Sequence, residues 1–150
     1  MPTTKATSKR AGFTAEERAA MKARIAELSA EGKKGAKKAD ELKAALDAIA
    51  KMTPEDRAIA ERVHATVTTV APQLSPKTWY GMPAYANADG KVVIYFRDAG
   101  KFKERYSNLG FQDCANLDDG DMWPIMFALQ KWSPAVEKKV IQLVKAAVSG

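Results

Sequence analysis

Trp79, Tyr80, Met82, Tyr85 and Tyr95 fall within one short stretch around a turn-rich segment, with Arg97 and Arg105 just beyond it. Rings and a thioether at this density can wall a groove for a small molecule or peptide, since ligand sites are concave, mostly apolar and dotted with a few polar tips. Tyrosine hydroxyls at the rim would supply specificity, and Arg97 and Arg105 would add recognition of an anion. The plainer alternative is that the same rings fill a hydrophobic core.

Other chemistry is sparser. Asp113, Asp118, Asp119 and Asp121 form the one dense acidic cluster in the C-terminal part. Several carboxylates on one loop can hold a hard cation such as iron, calcium or magnesium. Asp and Gly are also ordinary turn residues, and the spacing matches no EF-hand loop. His64 is the sole histidine, mid-helix, with no partner adjoining it in sequence. Cys114 is the sole cysteine, so no intramolecular disulfide forms, and its acidic neighbours disfavour a thiolate nucleophile. No nucleophilic triad and no Gly-rich phosphate loop is present. The expected class is therefore a binding or accessory protein. The enzymatic alternative is a cofactor-free scheme on Tyr85 or Tyr95, which requires a strongly shifted tyrosine titration.

The net charge of +6 is concentrated near the start. Residues 1–52 carry 12 Lys/Arg against 7 Asp/Glu, a net +5, whereas residues 53–150 carry 12 against 11, a net +1. Lys33, Lys34, Lys37 and Lys38 are the densest basic run and could attract phosphate backbones or an acidic protein. No aromatic residue interleaves with them, so any nucleic-acid binding there is non-specific and salt-sensitive. The alternative is a solvated, solubilising arm. Aromatic residues divide the other way, and only Phe13 precedes Trp79, which places the main core in the C-terminal two-thirds.

These residues need elements to position them. Residues 1–12 read as a disordered basic tail. Thr14-Ala15-Glu16-Glu17 is a capping box that opens a helix to about Glu31, with a narrow stripe of Met21, Ile25 and Leu28. Gly32-Lys33-Lys34-Gly35 reads as a linker, and a second helix from about Asp40 to Met52 places Leu42, Leu46 and Ile49 on one face. Residues 13–52 thus form a basic two-helix arm that either docks on the rest or projects from it. Thr53-Pro54 starts a third helix with Ile59, Val63, Val67 and Val70 on one side.

Strand signals follow. Trp79-Tyr80 leads into a bend at Gly81, and Asp89-Gly90 reads as a two-residue hairpin turn. That turn would set Ala84 opposite Tyr95, Ala86 opposite Val93, and Tyr85 on the other face with Ile94. Small residues facing Tyr95 would then leave a groove beside its ring. Val92–Phe96 is apolar on both faces and so reads as a central strand. Further strands are expected within Phe102–Phe111 and over Met122–Leu129, where Pro124 forces an edge position or a bulge. Ser133-Pro134 starts the last helix. The expected fold is α+β: an antiparallel sheet of four to five strands backed by an N-terminal and a C-terminal helix, preceded by the arm.

The run Tyr80-Gly81-Met82-Pro83-Ala84-Tyr85, the strand entry Gly90-Lys91-Val92, the Lys101-Phe102 region and the closing Met122-Trp123-Pro124-Ile125-Met126-Phe127-Ala128-Leu129 with its Ser133-Pro134 helix occur in an order that resembles the YdhG-like family of bacterial domains of unknown function. The resemblance covers about residues 53–150, and the helical arm looks like extensions found in one branch. It implies a compact α+β domain with a helix-backed sheet. The family includes a frataxin-like member regarded as an intracellular iron chaperone, which makes iron a candidate ligand. No residue set here matches an iron-binding motif, and the segment between Phe111 and Met122 is shorter than in that branch.

Taken together, these readings expect a small cytosolic binding protein, for a small ligand or iron. The alternative is an interaction module whose basic arm binds an acidic partner or nucleic acid. Deleting residues 1–52 should abolish arm binding and leave ligand binding by the sheet in place. No apolar run approaches the ~20 residues that cross a bilayer, and the polar first twelve residues hold no signal-peptide core.

Overall fold

The computed structural model describes residues 13–31 and 38–149. The expected tail (residues 1–12) and Lys33, Lys34 and Lys37 lie outside the described residues. Helices α1 (Ala15–Glu31), α2 (Lys38–Ala50) and α3 (Pro54–Val70) precede strands β1 (Ser75–Trp79), β2 (Met82–Ala86) and β3 (Val92–Arg97). A one-turn helix α4 (Ala99–Phe102), strands β4 (Ser107–Phe111) and β5 (Met126–Leu129), and helix α5 (Pro134–Ala147) follow. The fold is α+β, with a five-stranded antiparallel sheet in the order β1-β2-β3-β4-β5. Among the described residues no helix is long and apolar enough to cross a membrane.

Helix starts follow local chemistry. Thr14 Oγ1 accepts from the Glu17 N–H at 3.0 Å while Glu17 Oε1 accepts from the Thr14 N–H at 3.0 Å, which completes the capping box. Thr53 and Ser133 cap α3 and α5, each followed by a proline in the first turn, where no N–H is needed.

The sheet has two faces because side chains alternate along each strand. On the core face, Tyr85, Ile94, Phe96, Leu109 and Phe111 pack against Val63 and Val67 of α3 and Val140 and Val144 of α5, all nearly or fully inaccessible. Each such side chain contributes roughly 1.5–3 kcal/mol. The other face carries a row that crosses all five strands: Lys77, Ala84, Tyr95, Gly110 and Met126 pair in turn.

Helix α1 docks on this second face, whereas α2 packs along β1 and β2 beside α3 with Ile49 in the core-face cluster, so both described helices lie against the domain. The docking surface follows the apolar stripes of the sequence only in part, through Met21 and Ile49. Ile25, Leu28, Leu42 and Leu46 point to solvent, whereas Ala20, Ala45 and Ile49 are buried. Small alanines let the helix axes approach the flat sheet closely, which larger leucines would prevent. Lys38, the described member of the basic run, is exposed at the start of α2.

Two turn details also depart from expectation. The β2–β3 loop holds three residues, 88–90, with Asn87 Oδ1 accepting from the Asp89 and Lys91 N–H groups, each at 3.0 Å, and Gly90 at φ +81°. The register then slips by one, so Ala86 pairs with Val92 and not Val93. Ala84 and Tyr95 remain opposite one another. Strand β5 starts at Met126, after Pro124, and is an edge strand.

Tyr85 lies on the core face, where its hydroxyl shares a hydrogen bond of 3.0 Å with His64 Nδ1 of α3. Burial holds His64 below the ordinary imidazole value. The unfolded chain therefore takes up the proton first. Stability is full above about pH 6.5 and falls as the pH drops through that value. The urea midpoint should decline between about pH 7 and pH 5.5 in the wild type and stay nearly level in His64→Gln. Tyr85→Phe should cost about 1–2 kcal/mol at neutral pH by leaving His64 Nδ1 without its hydrogen-bond partner.

Candidate functional site

The second face is covered at its β1–β2 end and open towards β4 and β5. The boundary is a groove of about 500 Å³. Trp79, Tyr80, Met82, Tyr95 and Arg97 line it, together with Phe102 of α4, Asn108 of β4 and Met126 of β5. Helix α1 supplies the remaining wall through Phe13, Glu17, Ala20 and Met21. The sheet therefore does not make the groove alone, and deleting residues 1–52 would remove one side of it.

Small residues shape the floor. Tyr95 pairs with Ala84 on one side and Gly110 on the other. A Cβ built on Gly110 would overlap the Tyr95 ring, so the ring lies flat across Gly110. Trp79 meets Tyr95 at 5.3 Å between centroids and 54°, and meets Tyr80 edge-on at 5.0 Å and 83°. These inclined contacts are favourable for aromatic pairs and hold the rings in place.

Tyr80 and Gly81 form the tight β1–β2 turn, with φ of +54° and +78°. Two consecutive positive φ values suit a hairpin turn of the type that follows the strand twist. Both N–H groups point at Glu27 of α1, whose Oε1 accepts from Tyr80 at 3.0 Å and whose Oε2 accepts from Gly81 at 3.1 Å. Nothing in the local sequence around Glu27 signals this. Arg24 lies 3.6 Å from the same carboxylate and over the Tyr80 ring.

The groove's charged side chains are joined to one another. Arg97 Nε donates to Glu104 Oε1 at 3.0 Å, its second nitrogen donates to Glu104 Oε2 at 3.3 Å, and Glu17 lies 4.0 Å away. The guanidinium also stacks 3.7 Å from the Phe102 centroid. Two of its nitrogens are taken up by Glu104 and its charge is matched by neighbouring carboxylates, so Arg97 serves the groove first as a paired wall.

Two candidates fall outside the groove. Tyr85 is on the opposite face, because it is one residue along from Ala84 and strands alternate. Arg105 lies exposed in the loop before β4 and stacks over Tyr106 at 4.8 Å. Burial raises both Tyr85 and Tyr95 above the ordinary phenol value. That shift keeps each phenol protonated near neutral pH and leaves almost no phenolate to act as a base.

The acidic loop does not assemble. Asp113, Asp118, Asp119 and Asp121 are all exposed, and among the described residues no three His, Cys, Asp or Glu side chains gather to hold a metal ion. The loop runs across the surface between β4 and β5, and nothing folds over it to turn the carboxylates inward. The iron expected from the family resemblance therefore has no matching ligand set here. Cys114 is exposed, with its thiol donating to the Val92 carbonyl at 3.2 Å.

A second cavity of about 680 Å³ lies behind Glu27, between α1, α2, the Tyr80–Gly81 turn and α4. Ala23, Ala26, Ala44 and Ala48 line it, with Asp98 and Lys101 beneath. Burial, with Asp56 nearby, raises the Asp98 carboxyl above its ordinary value. Asp56 Oδ2 accepts from the Gly100 N–H at 2.7 Å, which ties α4 to the start of α3. Although larger, this cavity has no aromatic wall, and its polar groups serve internal contacts.

No family model, curated protein or solved structure matches the chain. The functional reading therefore rests on the groove itself. Glu27→Ala should lower stability by about 2 kcal/mol, because two turn N–H groups lose a charged acceptor. Thermal unfolding measures this, and faster amide exchange along α1 should accompany it. Gly110→Ala should displace the Tyr95 ring into the groove, seen as a changed Tyr95 ring environment in NMR spectra.

Proposed function

We propose that this chain is a small-molecule-binding protein whose site is the groove between α1 and the open half of the sheet, and that it takes a planar, largely apolar ligand. The observation that carries this reading is the three-ring wall of Trp79, Tyr80 and Tyr95 set over Gly110. Such a wall offers flat apolar surface at low entropic cost, because aromatic side chains have few rotamers to lose. Met21, Met82 and Met126 add adaptable contacts around it. The reading gives the groove no catalytic step. The resemblance to the YdhG-like family supports the domain assignment and leaves the ligand open. The lone Cys114 suits a cytosolic setting.

The test is titration of the full-length protein with 2-naphthol, followed by amide NMR. Shifts should concentrate at Gly110, Asn108, Trp79 and Met21, and should disappear in Tyr95→Ala. Truncation of residues 1–37 should weaken binding at least tenfold, because α1 is a wall of the site. Saturating shifts confined to other surfaces, or none, would refute the reading.

A further inference from the structure

The charge pattern of the groove narrows its ligand further, on the premise that the groove is the binding site. Glu17, Arg97 and Glu104 are its charged lining residues, and all three are committed within the chain. Glu17 also accepts from the Thr14 N–H in the capping box. An anionic ligand would compete with Glu104 and Glu17 for the Arg97 guanidinium and would meet their two carboxylates beside it. A cationic ligand would meet the Arg97 guanidinium already stacked on Phe102. Either charge would also lose its hydration against the rings, a cost that needs a dedicated partner to offset it.

Uncommitted hydrogen-bonding groups remain. Among the described residues, the Tyr95 hydroxyl, the Trp79 indole N–H and the Asn108 amide make no hydrogen bond to another protein group, and all three residues line the groove. Tyr95 is only 9% exposed. Its hydroxyl has no protein partner among the described residues and stays open to the groove, where a ligand group can reach it. A ligand group that both donates and accepts would satisfy Tyr95 and Asn108 together. These residues sit on adjacent strands, and Gly110, opposite Tyr95, is two residues from Asn108 on the same face.

We infer that the groove selects an uncharged, planar aromatic ligand bearing a hydroxyl- or amide-like group, held by Tyr95 and Asn108. Charged relatives of the same shape bind less tightly because the groove's own charges already neutralise one another.

The experiment compares three indole derivatives of similar size at moderate salt and pH 7: tryptophol, which is neutral, tryptamine, a cation, and indole-3-acetate, an anion. Binding is followed at the Gly110 and Asn108 amides of the full chain, with 2-naphthol as control. Tryptophol should bind at least about tenfold more tightly than either charged compound, a difference of about 1.4 kcal/mol. Asn108→Ala should weaken tryptophol several-fold and leave indole itself unchanged. Equal affinities for the three, or tighter binding of either charged compound, would overturn the inference while leaving the groove as the site. Failure of all four compounds, 2-naphthol included, would overturn both.

Discussion

The Glu27 carboxylate takes both N–H groups of the Tyr80–Gly81 turn, and much of the molecule's shape depends on that contact. The turn is left-handed at both residues, so its N–H groups converge on one side as an anion-accepting pair. Glu27 supplies the anion from a helix more than fifty residues earlier. Helix α1 is thereby held on the second sheet face, although its larger apolar residues, Ile25 and Leu28, remain in solvent. Its adhesion combines this polar clamp with small and adaptable apolar contacts at Ala20 and Met21.

That docking divides the second face into two environments. Behind Glu27, alanine walls and Asp98 enclose a polar cavity. In front of it, the end of α1 overhangs Tyr95 and Gly110 to form the aromatic groove. The core face has no such division, because α3 and α5 fill it with branched and aromatic side chains. The packed core and the open groove thus lie on opposite sides of one sheet. Alternation along β2 makes the division, placing Tyr85 in the core and Ala84 under the groove.

Electrostatics within the groove follow the same economy. Arg97 looks like an anion receptor in isolation, but Glu104 and Glu17 neutralise it and Phe102 stacks on it. Bidentate pairing of this kind fixes a guanidinium firmly. What remains for a ligand is flat apolar surface with a few neutral polar tips.

Much of this was legible in the chain. Capping residues and prolines marked the starts of α1, α3 and α5, alternation marked β3 as central, and the pairing of Ala84 with Tyr95 followed from hairpin logic. Trp79, Tyr80, Met82, Tyr95 and Arg97 could be picked out because rings, thioether and charge cluster around one turn. The three-residue loop at 88–90 was missed, since an Asp-Gly pair serves both loop lengths, and the one-residue slip at Val93 came with it. Local pattern revealed the docking faces of α1 and α2 only in part, since Ile49 and Met21 of the apolar stripes face inward while the rest of the contact is made by alanines such as Ala20 and Ala45. It could not pair Glu27 with Tyr80, Tyr85 with His64 or Arg97 with Glu104, or show that the four aspartates of the 113–121 loop stay apart. Sequence by itself determined the elements and the alternation within them, because those depend on neighbours a few residues away. Tertiary structure alone decided which side chains meet, because those contacts join helices and strands that are distant in the chain and settle by shape and charge once packed.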